Sequence, residues 1–161
     1  MSAPIVSIET LTIRFQDSST GAALDGLNLD INAGEFLALV GESGSGKSLT
    51  ALSLLQLLPK GSGIDITGKA IYRTNQGISI DLLRIPPKEI DQIRGSRIGM
   101  VFQEPMTALN PLIPCGEQIT EVIRRHKRLR RSVAKQEAIQ WIDRVQLPDP
   151  KHIYNRFPHQ L

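Results

Sequence analysis

Apolar and polar positions alternate along two early stretches of the chain, Ile5 to Phe15 and Leu24 to Ile31. In the second, Leu27, Leu29 and Ile31 fall on one side and Asn28 and Asp30 on the other. A two-residue period is that of a half-buried strand, so both stretches are expected as antiparallel strands. The turn-forming run Asn32-Ala33-Gly34-Glu35 then leads into Phe36-Leu37-Ala38-Leu39-Val40, which is apolar without interruption. That pattern suits a central strand covered on both faces. After the glycine-rich stretch Gly41 to Gly46, residues Lys47 to Leu58 read as a helix apolar almost all round, halted at Pro59 and Gly61. Such a helix is expected to be buried.

Further strand-like pieces span Ile64 to Tyr72 and Ile78 to Leu82, separated by Thr74-Asn75-Gln76-Gly77, which has turn chemistry. Pro86 and Pro87 open a short helix through Ile93, and Ile98 to Phe102 is another apolar strand, interrupted only by Gly99. From about Cys115 to Val145 the pattern is helical. Ile119, Val122 and Ile123 share one face, and Ala138, Ile139, Trp141, Ile142 and Val145 another, with Trp141 expected in the core. No internal repeat and no low-complexity linker divides the chain, so strands and helices are expected in one α/β unit.

Composition narrows the class. With 161 residues, 40% apolar and 22% charged, the chain can bury the core of one domain and is neither disordered nor collagen-like. A single cysteine, Cys115, excludes a disulfide scaffold, and it has no Cys or His partner at metal-ligand spacing, which excludes a zinc module. A reducing compartment follows. Met1 to Ile8 has neither a basic start nor a long apolar run, so no secretory signal is expected. The apolar stretch Leu49 to Leu58 falls well short of the roughly 20 residues that cross a bilayer. Any membrane link is therefore expected to run through a partner.

Charge changes the picture at one place. The chain carries 19 Lys and Arg against 16 Asp and Glu, a net charge of +3, and six of the eight residues from Arg124 to Arg131 are basic. Six cations could track a phosphate backbone. No aromatic interleaves them, which weakens a stacking platform for single strands. A solvated helix face is the first reading. Contact with an anionic membrane surface or partner, and contact with nucleic acid, are the alternatives.

The candidate chemistry lies in Gly41-Glu42-Ser43-Gly44-Ser45-Gly46-Lys47-Ser48, which satisfies G-x-x-x-x-G-K-[ST]. An apolar run precedes it and a helical pattern follows, as a phosphate-binding loop requires. Glycines let the backbone wrap so that successive amides point at phosphate oxygens, and the helix start adds its positive dipole end. Lys47 is expected to reach the β and γ phosphates, and Ser48 to offer its hydroxyl to Mg²⁺. No asparagine precedes a lysine, so the guanine-reading motif of a GTPase is absent from the sequence. Asp65-Ile66-Thr67-Gly68 fits D-x-x-G but reads more simply as a strand-end turn.

With that loop, the run Met100-Val101-Phe102-Gln103-Glu104-Pro105-Met106-Thr107-Ala108-Leu109-Asn110-Pro111 and the final Phe157-Pro158-His159-Gln160-Leu161, the whole chain from Ile5 resembles the ATP-binding subunit of a bacterial ABC transporter. The middle run points to the peptide/nickel (oligopeptide/dipeptide) import branch. The resemblance implies an α/β P-loop NTPase of ABC type, with an N-terminal antiparallel β subdomain, a partial parallel core sheet and the start of a helical subdomain. Residues 5–103 would form the β subdomain and P-loop core, and 104–161 the Q-loop and an incomplete helical subdomain. It implies ATP and Mg²⁺ as cofactors, phosphates on Gly41 to Ser48, Mg²⁺ at Ser48 and Gln103, and adenine stacked on Phe15, 26 positions before Gly41.

Implied partners are transmembrane permease subunits, a second ATP-binding subunit and, indirectly, a periplasmic or extracellular solute-binding protein, with no nucleic acid. The implied location is peripheral, on the cytoplasmic face of the bacterial inner membrane. The family's signature begins Leu-Ser-Gly-Gly, and Leu161 matches only its first residue. The Mg²⁺-associated Asp, the catalytic Glu and the switch histidine have no counterpart here, and His159 does not match the switch position. A soluble ABC-type ATPase acting on nucleic acid and an inactive truncated fragment remain the other readings. The resemblance also places strands and helices that would cover Phe36 to Val40 beyond Leu161, so that segment is expected to be uncovered in the 161 residues taken alone.

Overall fold

A computed structural model describes residues 3–16, 21–59, 63–103 and 108–161. They fall into two compact units, Met1–Arg97 and Ile98–Leu161.

The first unit is built on a four-stranded sheet in the order β2-β1-β3-β4, antiparallel throughout. Its strands are β1 (Val6–Phe15), β2 (Leu24–Ile31), β3 (Ile64–Arg73) and β4 (Ser79–Asp81). The two helices of this unit are α1 (Lys47–Leu54) and α2 (Pro87–Ile93). Alternation in β2 is as expected, with Leu27, Leu29 and Ile31 inward of Asn28 and Asp30. In β1 the inward set changes parity: Val6 and Ile8 are buried, then Leu11 and Ile13. A bulge explains it. The register with β3 slips between Glu9 and Thr12, and Thr10 turns to φ 46°. Two neighbours hold the bulge. The Thr10 amide donates to Asn28 Oδ1 at 2.9 Å, and the Gly26 amide to Thr12 Oγ1 at 3.0 Å. Opposite lies Gly68 at φ 98°, where a Cβ would fall 2.6 Å from the Thr10 carbonyl oxygen, so only glycine fits.

The turn between β3 and β4 closes at Thr74 to Gly77, where the Gly77 amide donates to the Thr74 carbonyl at 2.9 Å. Pro87 opens α2, as a residue without an amide hydrogen suits a first helical position.

Two expected strands do not form. Phe36 to Val40 and Ile98 to Phe102 make no strand ladder, and Phe36 is 98% exposed, Val40 93% and Val101 90%. A parallel central strand takes both its hydrogen bonds and its cover from neighbours, and among the described residues no strand lies beside either segment. Nor is α1 buried all round. Its covered flank is Gly46, Thr50, Ser53 and Leu55, whereas Ala51 is exposed. The buried hydroxyls are satisfied along the helix: Thr50 Oγ1 donates to the Gly46 carbonyl at 3.0 Å and Ser53 Oγ to the Thr50 carbonyl at 2.8 Å.

The second unit is helical: α3 (Cys115–Lys127), α4 (Arg131–Arg144) and α5 (Pro150–Asn155), followed by a 3-10 turn at Pro158–Gln160. Arg128, at φ 54°, ends α3. Ile123, Ala134, Ala138, Ile142, Ile153 and Tyr154 make the core, with Ile119 and Ile139 packed against it. Val122, Trp141 and Val145 are exposed, contrary to the helical-face expectation. The buried stripe of α4 is Ala134, Ala138 and Ile142, four residues apart, and Trp141 lies a helical step of about 100° off that line. The Trp141 ring instead carries the Arg144 guanidinium at 5.0 Å, and its Nε1 donates to Glu137 Oε1 at 3.3 Å.

Candidate functional site

The segment Gly41 to Ser48 turns directly into α1. Within it the Ser45 amide donates to the Glu42 carbonyl at 3.2 Å, closing a tight turn. Gly46, at φ 89°, is the residue at the helix start, and a Cβ there would meet Leu24 Cδ1 at 3.0 Å and the Ala23 carbonyl at 3.2 Å. Both the conformation and the close approach of β2 therefore demand glycine. The Lys47 ammonium lies across the loop. It donates to the carbonyls of Gly41 at 2.8 Å and Glu42 at 2.6 Å and to Ser45 Oγ at 3.1 Å. The first turn of α1 has no side-chain cap and no acidic residue, so its leading amides and positive dipole end are not neutralised by the helix itself. Ser48 is exposed on that turn. A cation, a wrapped backbone and an uncapped helix start within eight consecutive residues form a seat for an anion.

A residue passed over in the sequence sets the far end of α1. Arg94, just after α2, donates through Nε and Nη2 to the Leu55 carbonyl at 2.9 and 2.6 Å, and through Nη2 to the Gln56 carbonyl at 2.9 Å. Gln56 Nε2 in turn donates to the carbonyls of Leu82 and Ile85 at 3.0 and 2.8 Å. The helix that carries Lys47 and Ser48 is thus tied at its C-terminal end to α2 and β4. An arginine after an amphipathic helix gave no sign of which carbonyls it would reach.

Phe15 ends β1, half-buried and paired with Ile64. The Ala23 amide donates to the Ile13 carbonyl at 2.9 Å, so the same hairpin presents Ala23 and Leu24 to Gly46 and holds Phe15 at its tip. Gln103 belongs to the second unit and is exposed. Of the run that follows it, Glu104 to Thr107 lie outside the described residues. Asn110 is held by Gln118, whose Oε1 accepts from the Asn110 amide at 2.9 Å and whose Nε2 donates to the Asn110 carbonyl at 3.0 Å.

The second unit contains a polar network that the sequence reading also missed. Tyr154, 1% exposed, shares a 2.9 Å hydrogen bond with Thr120 Oγ1 and donates to Glu117 Oε1 at 3.1 Å. Arg131 pairs with the other Glu117 oxygen at 3.0 Å. The Arg131 hydrogen bond, aided by Tyr154, holds the Glu117 carboxyl below the usual carboxylate range, and burial pushes the Tyr154 phenol up. Gly116 lies so close to the Tyr154 ring that any Cβ would overlap it. In the basic stretch, Lys127 pairs with Glu137 and Arg131 with Glu117. Arg124, Arg128 and Arg130 are exposed.

Comparison with known proteins places the chain. Residues 24–161 match the model of the ABC transporter family, and the chain belongs to that family. It is 39% identical over 158 residues to the glutathione import ATP-binding protein GsiA of Pectobacterium atrosepticum, covering 98% of this chain and 25% of the relative. It is 42% identical over 159 residues to a putative peptide import ATP-binding protein of Brucella abortus, covering 98% of this chain and 47% of the relative. The chain thus spans a quarter to about half the length of these curated relatives. Among solved structures it resembles the bacterial ABC transporter cassette MJ0796, reported as a dimer, with a TM-score of 0.75 at 24% identity over 97% of this chain and 62% of that one. The fold is that of an ABC cassette, and family membership implies nucleotide binding. Among the described residues no helix is long and apolar enough to cross a membrane.

Proposed function

We propose that this chain forms the nucleotide-binding part of an ABC importer subunit for peptides or related small solutes, and that its nucleotide is ATP with Mg²⁺. The observation that carries the reading is the Gly41 to Ser48 loop, with Lys47 Nζ seated across it and α1 opening uncapped behind it. The loop fits a triphosphate chemically. Backbone amides and Lys47 would hold the β and γ phosphates, Ser48 and Gln103 would serve Mg²⁺, and Phe15 would stack on the adenine. Mg²⁺ would neutralise phosphate charge when bound. The chain's own contribution is to fix the phosphates against a preorganised set of donors.

Residues 5–103 are assigned to the β subdomain and P-loop core, and 104–161 to the Q-loop and helical subdomain. A division into two compact units at Arg97 and Ile98 supports two subdomains, with residues 98–103 falling on the helical side. The import names of the Pectobacterium and Brucella relatives support transmembrane permease subunits as partners, with a peripheral position on the cytoplasmic face of the inner membrane. A second ATP-binding subunit and a solute-binding protein complete the proposed assembly. The test is titration of the chain, in its full-length context, with a fluorescent ATP analogue and Mg²⁺. Lys47→Ala is expected to weaken binding at least tenfold with the circular dichroism spectrum kept, and parental affinity in that variant would overturn the site assignment.

A further inference from the structure

We infer that the turn joining α3 to α4 is a docking surface for an anionic phospholipid bilayer, with Arg124, Arg128 and Arg130 as the cations that meet the headgroup phosphates. The whole positive excess of the chain resides in this turn and the helix ends beside it: without the six basic residues from Arg124 to Arg131, the remaining 13 cations face 16 acids and the balance is 13 − 16 = −3. Within the cluster, Lys127 is held by Glu137 and Arg131 by Glu117. Arg124, Arg128 and Arg130 are exposed and have no ion pair among the described residues.

Helix energetics explain only part of this cluster. Basic residues in the last turn of α3, Arg124 among them, complement its negative end. Arg128 and Arg130 lie beyond that benefit. Arg128 adopts φ 54°, a left-handed position at a helix end where glycine is the low-cost residue. Arg130 stands at the start of α4, where the positive end of the helix repels a cation and the first turn carries no acidic residue or side-chain cap. Positive charge is therefore held where the local structure disfavours it, as happens where a site faces a partner. Arginine forks match phosphate oxygens. Leu129, between them, is packed into the helical core, and no aromatic side chain lies in the turn to stack on a base. The choice of a bilayer over a nucleic acid rests on the transporter reading above.

The test uses the chain in its full-length context and vesicles of phosphatidylglycerol and phosphatidylethanolamine in a 1:3 ratio, with pure phosphatidylcholine vesicles as the neutral control, read by co-sedimentation. A cation near an anionic bilayer contributes about fivefold in binding. The triple change Arg124→Gln, Arg128→Gln, Arg130→Gln is therefore expected to weaken anionic-vesicle binding on the order of a hundredfold. Lys69→Gln, Lys88→Gln, Lys151→Gln removes the same net charge from exposed positions elsewhere and should change binding little. Arg128→Gly relieves the left-handed backbone while removing one charge. It should leave the melting temperature equal or higher and still lose about fivefold in binding, a combination that a purely structural role for Arg128 would not give. Equal binding to neutral vesicles, equal losses in the two triple variants, or displacement of the vesicles by an equimolar single-stranded oligonucleotide would overturn the inference. Nucleotide titration of the same samples keeps the two readings apart, because failure of vesicle binding with ATP binding intact sinks the docking surface alone.

Discussion

Strand β1 and the segment Phe36–Val40 carry five apolar residues each, yet Leu11 and Ile13 are fully buried while Phe36 is 98% and Val40 93% exposed. The difference lies in where each finds its neighbours. β1 alternates, so one face suffices, and its partners β2 and β3 reach it through a hairpin and a longer return within the same compact unit. Phe36–Val40 is apolar at every position and requires cover on two faces as well as ladder partners on two edges. Burial is thus not a property of an apolar run. It belongs to the set of segments that run pairs with, and the period of the pattern tells how large that set must be.

The largest test of this contrast is Ile13→Ala. It empties a fully buried site in the sheet and is expected to cost about 2–5 kcal/mol, measured as a drop in the urea midpoint. A loss below about 1 kcal/mol would mean that the antiparallel sheet is no better packed than the exposed run. Gly68→Ala should cost about 1–3 kcal/mol, because a left-handed φ would be imposed on alanine and its Cβ would press on the Thr10 carbonyl. Its signature is a lowered melting temperature together with faster amide exchange around the β1 bulge. Smallest of all is Phe36→Ser. In the 161 residues taken alone it should shift stability by no more than about 0.5 kcal/mol while raising solubility in light-scattering assays, and a large destabilisation would show that Phe36 is covered in solution.

Legibility in the sequence followed the same division. The bounds of β2 were readable because its period, its turn and its partner are close in sequence. The bulge in β1 was written in the change of parity from Val6 and Ile8 to Leu11 and Ile13, but its cause, the fit of Gly68 against Thr10, depends on a residue 58 positions away. In the helical unit the pattern placed helix over Cys115 to Val145 but missed α5, with its core residues Ile153 and Tyr154, and set Trp141 on the inner face with Ala138 and Val145, whereas the buried stripe is Ala134, Ala138 and Ile142. The anion seat was legible because its parts are consecutive: glycine, lysine and serine at fixed offsets determine both backbone path and charge. Its support was not, because Arg94 reaches Leu55 across 39 positions, and nothing local to either residue signals the other.

That Arg94 fork makes α1 part of a cooperative opening unit. The last carbonyls of a helix ordinarily fray into water at small cost. Here the carbonyls of Leu55 and Gln56 are both occupied by one guanidinium, and the side chain of Gln56 bonds back to Leu82 and Ile85. Unwinding α1 from its C-terminal end must therefore strip the arginine of its two carbonyl acceptors, leaving it only Asp91 among the described residues, and free two backbone oxygens near β4 in the same event. The stiffness of the loop that carries Lys47 is in this sense stored at the opposite end of its helix, in a contact made by a residue outside the loop.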